Sequence, residues 1–435
     1  MRKFRTTHNV ICVSAGYYEP AINEASTPDT LIKSSLSDVA NLELRRETDE
    51  NERHGREEAS TIYDLGCFSN MPLSFEKAQP QHFAFAFAYG FGNTATGAYG
   101  TGFKHTFIPI QGDFDYDRSL PSFTADMRFG DSVFKRRFYS MFVDSITAKF
   151  SRDAFCKLDL GIKGTGKHLS DIEECVVSAY DDAEFVVIPF LTQGGSDPKD
   201  CIHSVEAIYN YDNIKIVQVL DVATSGNDTA IAIDPPGDLH EMISYKVLYK
   251  PIEPNQQWVD SPEYMTQENP IKVANIDVSI GKWYGSMTGT RKINAEIQNV
   301  EYNLNNNLNF QVGFNTGGGY ASIVFREGRV QTIKLDRELR DYLLQRYVET
   351  KENFCLRILG ESTEYEPGKK YKIDMIFPCL GIVGSQIESS GKILAEKGDF
   401  RVLEPEGNYP SAYVIVQNKI EKYAQSGEGL SGEII

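Results

Sequence analysis

The sequence predicts a mainly β protein: two tandem β-sandwich or barrel domains, each with a flanking helix, plus a small all-β insert. Three observations carry this. Long alternating segments studded with polar residues occur in both halves, at 142–150 running on to 156–161 and at 295–304 running on to 308–312. Each half also holds one helix-like segment followed by a strand rich in aromatic and β-branched residues. Residues 205–250 alternate strongly between Gly, Asp and Pro turns. The 435 residues exceed one ordinary domain. The reading divides them at 1–195, 196–262 and 263–435, the last with a flexible C-terminal tail.

Residues 9–14 open the chain as a short strand. Residues 43–58 are dominated by mixed charge, including Glu43, Arg45, Arg46, Glu47, Arg53 and Glu57. They read as a long exposed arm, either disordered or ordered on a partner subunit. In 75–91, Phe83, Phe85, Phe87 and Tyr89 alternate at strand period. The intervening Ala84, Ala86 and Ala88 favour a helix, and Pro80 suits a first turn. A buried helix closed by Gly90 is the expectation. A glycine-rich turn and a strand over 103–110 follow.

The segment 184–190 is a further strand, and 214–220, 229–233 and 242–249 are the strands of the insert. Pro251, Pro254 and Pro262 mark its exit. The second half restarts with a strand at 273–280. An amphipathic helix is expected near 336–348, with Asp336 as N-cap, Glu338 and Asp341 early in the helix, and Leu339, Tyr342, Leu343 and Tyr347 as its apolar face. Strands are expected at 354–359, 371–377, 400–403 and 412–417.

Lys plus Arg number 44 and Asp plus Glu 61, giving a net charge of −17. That balance argues against gripping nucleic acid by its phosphates, which needs clustered cations. It leaves open a surface that nucleic acid slides past. The seven cysteines form no CxxC pair, so reduced thiols are expected rather than a disulfide framework or a zinc site. The apolar run 10–13 is short for a signal peptide, and no stretch reaches membrane-spanning length. Synthesis and assembly in a cytoplasm are expected, with no membrane partner.

The chemical motifs fail on their defining positions. Residues 161–167 nearly match a phosphate-binding loop, but His168 stands where Ser or Thr must hold magnesium. Asp113, Asp115 and Asp117 open like a calcium loop. Its sixth position is Arg118 instead of Gly, and its twelfth is Thr124 instead of Glu. There is no HExxH and no G-x-S-x-G. The sequence therefore predicts no enzyme, no cofactor and no catalytic or metal residues.

Several pieces, in order, carry a resemblance: residues 279–283, 297–308, 329–341, 370–378 and 395–400 in the second half, and 102–107 with the strand 142–150 in the first. Together they resemble the tail tube (major tail) proteins of long-tailed bacteriophages. The resemblance covers most of the chain outside 196–262. It implies two tube domains whose inner strands join edge to edge around a lumen, so that three copies make a pseudo-sixfold ring. Rings then stack into a tube in the virion tail, through which DNA passes without specific binding. Tape measure, tail terminator and distal tail proteins are the implied partners besides the chain itself. A lumen biased towards negative charge would repel phosphate. On this reading Asp144, Thr147, Glu296, Gln298, Glu301 and Asn303 are candidates to line the lumen, with a slip in the alternation near Asn299. Lys149 departs from a purely acidic wall. The insert would decorate the outside, and the arm and the tail after Ile420 would contact the next ring. The alternative is a carbohydrate-binding or adhesion protein of β-sandwich type, which exposed aromatics clustered on one face would favour.

Overall fold

The computed structural model describes residues 7, 9–49, 61–130, 134–189, 192, 201–210, 213–225, 228–251, 268–313, 319–390 and 393–425. Strand makes up 61%, and among the described residues there are two α-helices, so the class is mainly β, in several sheets of which none is closed among those residues. Most of the expected arm (50–58) and most of the C-terminal tail lie outside the described residues.

The chain begins with β1 (Val10–Val13), β2 (Thr30–Ile32), β3 (Asn41–Thr48) and β4 (Ile62–Phe75), then helix α1 (Pro80–Phe91). Next come β5 (Gly92–Tyr99), β6 (Gly102–Pro109), β7 (Phe123–Phe129), β8 (Phe134–Ser151), β9 (Lys157–Gly164) and β10 (His168–Ser170). A middle group follows: β11 (Glu173–Tyr180), β12 (Phe185–Ile188), β13 (Ile202–Asn210), β14 (Asn213–Val217), β15 (Val219–Ser225), β16 (Asp228–Ile233) and β17 (Met242–Tyr249). Then come β18 (Ile276–Trp283), β19 (Met287–Lys292), β20 (Ile297–Asn305), β21 (Leu308–Gln311), β22 (Ile323–Arg326) and β23 (Val330–Glu338). Helix α2 (Leu343–Thr350) precedes β24 (Phe354–Glu366), β25 (Lys369–Ser390), β26 (Ile393–Val402) and β27 (Tyr413–Asn418).

Contacts divide the chain into two units. The smaller comprises Met1–Ile11, Asp126–Arg137 and His168–Ser261. Within it, β11-β17-β13-β14 form one antiparallel sheet and β12-β16-β15 another. Val186, Ile188, Val205, Ile231, Tyr245 and Val247 fill the core between them, as alternating apolar residues on two facing sheets must. The strands expected of an insert at 196–262 are present. They are joined by β11 and β12, which lie before residue 196.

The larger unit comprises Cys12–Ala125, Phe138–Lys167 and Pro262–Ile435. One antiparallel layer runs β3-β4-β9-β8-β20-β23-β26-β25. A second runs β19-β18-β24-β25-β27-β6-β5 and shares the long β25 with the first. Both layers take strands from both halves of the chain.

Helix α1 packs against both layers. Phe83 stacks at 6.3 Å from Phe150 of β8, and Phe87 lies 6.0 Å from Tyr302 of β20. The helix also contacts β5, β6 and β27. All twelve of its residues are buried, which explains the ambiguous sequence: a helix apolar all round needs no helical period. Pro80 sits in its first turn as expected, but it closes at Gly92 (φ 84°) and not at Gly90. Gly90 stays helical, where a Cβ would meet Ile146 Cδ1 at 2.7 Å.

The second helix departs further from expectation. Residues 330–338 are strand, paired with β20 on one side and β26 on the other. Asp336 is therefore no cap, and Leu339 lies outside the helix. Asp341 accepts the Leu343 N–H at 2.9 Å just ahead of α2. Leu344 and Tyr347 are its buried residues, while Tyr342 is exposed and Leu343 only half-buried. Ladder partners on both edges outweigh the helical period.

The first layer contains the same arrangement twice. The groups β3-β4-β9-β8 and β20-β23-β26-β25 share one chain order: two neighbouring strands, a helix, then a long strand and the strand that follows it. Each long strand bulges once against its follower, at Asp144 of β8 and at Val383 of β25. Two residues before each bulge, the rows Phe142–Lys163–Asn70–Asn41 and Gly381–Arg401–Thr332–Asn303 match position for position. Thus β8 corresponds to β25 and β20 to β3. The two long segments that look like copies in sequence, β8 and β20, are instead antiparallel neighbours that join the groups.

Candidate functional site

The first layer has an apolar face under α1 and a polar face opposite it. On β20, Val300, Tyr302 and Leu304 are buried, while Asn299, Glu301, Asn303 and Asn305 point the other way. Residues paired across an antiparallel sheet share a face, so the ladders spell out the polar surface. One row runs Asp159–Thr147–Asn303–Thr332–Arg401. The next is Lys157–Lys149–Glu301–Lys334–Asp399, and the third is Ser151–Asn299–Asp336–Lys397–Gln386.

Thr147 and Asn303 face each other across the joint between the groups, and Thr147 Oγ1 donates to Asn303 Oδ1 at 2.8 Å. Asn303 Nδ2 donates to Glu301 Oε1, also at 2.8 Å. Glu301 stands between Lys149 and Lys334. These three proposed lumen residues therefore share one surface.

The other three are elsewhere. Asp144 occupies the β8 bulge, almost fully buried, where it accepts the Leu308 N–H at 2.9 Å and pairs with Lys163 at 2.8 Å. Gln298 sits at a bulge of β20 between Ile297 and Asn299, so it has no partner opposite in β23. The expected slip is thus real, and it removes Gln298 from the row. Glu296 pairs with Arg337 at 2.8 Å, beside Glu396, whose side chain is completely buried.

Charge on this face is mixed. Lys149, Lys157, Lys334, Lys397 and Arg401 intersperse with Asp159, Glu301, Asp336 and Asp399, so charges of both signs share this face. Lys149 lies 3.8 Å from Asp159, Lys397 Nζ lies 2.6 Å from Glu388, and Glu76 pairs with Lys157 and raises its pKa. Such exposed pairs contribute little stability each. Their effect is to set charges of opposite sign beside one another across the face.

Sequence reasoning missed Asn299, Lys334, Asp336, Lys397 and Asp399. The alternation Val330-Gln-Thr-Ile-Lys-Leu-Asp336 carries the signal for Lys334 and Asp336, against the expectation that makes Asp336 a helix N-cap.

Asp113 and Asp115 are engaged with Ser119 and Arg118, and among the described residues no group of three or more His, Cys, Asp or Glu is placed to hold a metal. The chain matches no protein-family model and no curated protein.

Proposed function

We propose that the chain is a structural subunit of a bacteriophage tail tube, built from two tandem tube domains and assembling into stacked rings around a lumen that DNA traverses. One observation supports this best. The two four-strand groups have the same order and the same bulge, and they meet edge to edge through β8 and β20. A joint between like units within one chain is the pattern that a ring of such units repeats between chains. The polar face of the layer is then the lumen wall. Its interspersed charges let the phosphate backbone pass without the clustered cations that would bind it.

The tube's partners are further copies, with tape measure, tail terminator and distal tail proteins at its ends, and its place is the virion. The carbohydrate-binding alternative has one observation in its favour, the aromatic group of Trp283, Tyr409 and Tyr413 with exposed Tyr284 beside it. That group is local, whereas the repeated edge runs the length of the layer.

Electron microscopy of the concentrated protein, with mass measured in solution, tests the proposal. Hollow stacked rings are expected, with a trimer as the repeating mass. Monomers at every concentration, combined with binding to an oligosaccharide array, overturn it in favour of the alternative.

A further inference from the structure

The geometry points to a specific strand pair between copies: β3 of one chain lies antiparallel beside the far half of β25 in the next, with Asn41 opposite Gln386. This rests on the tube reading and adds a register that the tube reading does not supply.

Within the chain, the long strand β8 of the first group pairs with the first strand β20 of the second. The outer edges of the layer are the matching strands in reverse, β3 and β25. Among the described residues β3 pairs only with β4, and β25 beyond Leu380 pairs only with β26. The free edges thus correspond to the two strands that already form a joint, with residues 41–43 of β3 matching the 303–305 end of the paired part of β20. Thr147 lies three residues past the β8 bulge and pairs with Asn303. Its counterpart three residues past the β25 bulge is Gln386, and the counterpart of Asn303 is Asn41. Leu42 then falls opposite Ser385, and Glu43 opposite Gly384. Asn41 and Gln386 are both exposed, and their side chains can hydrogen-bond as Thr147 and Asn303 do.

Exposure along the β25 edge agrees with the pairing. Ala148 and Ile387 occupy equivalent positions, four residues past their bulges. Ala148, paired with Tyr302 of β20 on the face beneath α1, is 0% exposed, whereas Ile387 is 50% exposed. The bulge residue Val383 is 74% exposed. A strand that begins at Asn41 opposite Gln386 runs past Val383, and Ala40, the residue ahead of it, falls opposite Ile387. A second copy is the occupant, because the edge it must fit is the edge this chain already matches internally.

Variants with one added cysteine each, Asn41→Cys and Gln386→Cys, purified separately, mixed at assembling concentration and mildly oxidised, test this. Residues directly opposite in an antiparallel pair are close enough for a disulfide. The expected result is a two-chain covalent species from the mixture, with neither variant alone exceeding the wild type. Asn41→Cys with Ile387→Cys should give none, because adjacent residues face opposite ways. Thr147→Cys with Asn303→Cys in one chain should close internally and serves as the control. Hollow rings without the 41–386 crosslink, while the control closes, overturn the register and leave the tube reading standing. Absence of any assembly overturns the tube reading and the register with it.

Discussion

Arg337 and Glu396 form an ion pair with both side chains completely buried, Nη2 to Oε2 at 2.8 Å. Burial alone would lower the guanidinium pKa, but Glu396 and Asp341 hold it above its ordinary value. Removing one member of a buried pair strands the other charge and costs about 3–5 kcal/mol. Arg337→Met should therefore lower the denaturation midpoint sharply. The double variant with Glu396→Leu should recover much of that loss, a non-additivity that a double-mutant cycle measures directly.

The position of α2 makes a paired prediction. Leu344→Asp places a charge in the buried contact and should cost several kcal/mol, on the order of other buried unpaired charges. Leu343→Asp, one residue earlier and half-buried, should be tolerated far better. Thermal melts of the two variants distinguish them, and equal losses would contradict the helix phase.

Gly66 has φ +95° and lies against Gly319, whose carbonyl accepts the Cys67 N–H at 3.3 Å. An added Cβ would run into that carbonyl oxygen. Gly66→Ala should destabilise by more than about 1 kcal/mol, since the backbone conformation and the close approach both exclude a side chain. Chemical denaturation against wild type measures it.

Stability should depend on pH through two buried groups near the start of α1. Burial pushes Glu268 up to about 8 from 4.5, although its carboxylate accepts the Gln81 N–H at 2.8 Å. Between about 4.5 and 8 the folded chain holds a proton that the unfolded chain has released, so this contribution is lost as pH rises. Burial pushes His82 down to about 3 from 6.5. There the unfolded chain binds the extra proton, so stability is lost as pH falls from 6.5 towards 3. From 6.5 to 8 only Glu268 of this pair acts, with a limiting slope of about 1.4 kcal/mol per pH unit. Wild type should lose stability across that window, and Glu268→Gln should lose much less.

Local signals were legible and distant partners were not. The strands of the small sandwich and the buried helix α1 follow from alternation, Pro80 and the alanines. The course of 330–338 does not, because its strand character comes from β20 and β26, neither of which the local pattern reveals. The same blindness put β8 and β20 in the role of copies. Their resemblance is that of two strands that line one face side by side, while the positions that truly correspond differ in composition: Lys149 matches Glu388, and Phe150 matches Ser389. Of the proposed lumen residues, Thr147, Glu301 and Asn303 follow from period two. Glu296 was lost to an ion pair with Arg337, forty-one residues away, and Gln298 to a bulge.

The joint between β8 and β20 also bears on how assembly responds to dilution. Its two sides are tethered, so they meet at a fixed effective concentration set by the intervening chain, whatever the amount of protein in solution. On the proposed register, the edges β3 and β25 would have no such tether and would meet their counterparts only by collision. Within a ring of such chains, half of the group-to-group seams would form as a folding event, leaving only the other half subject to mass action.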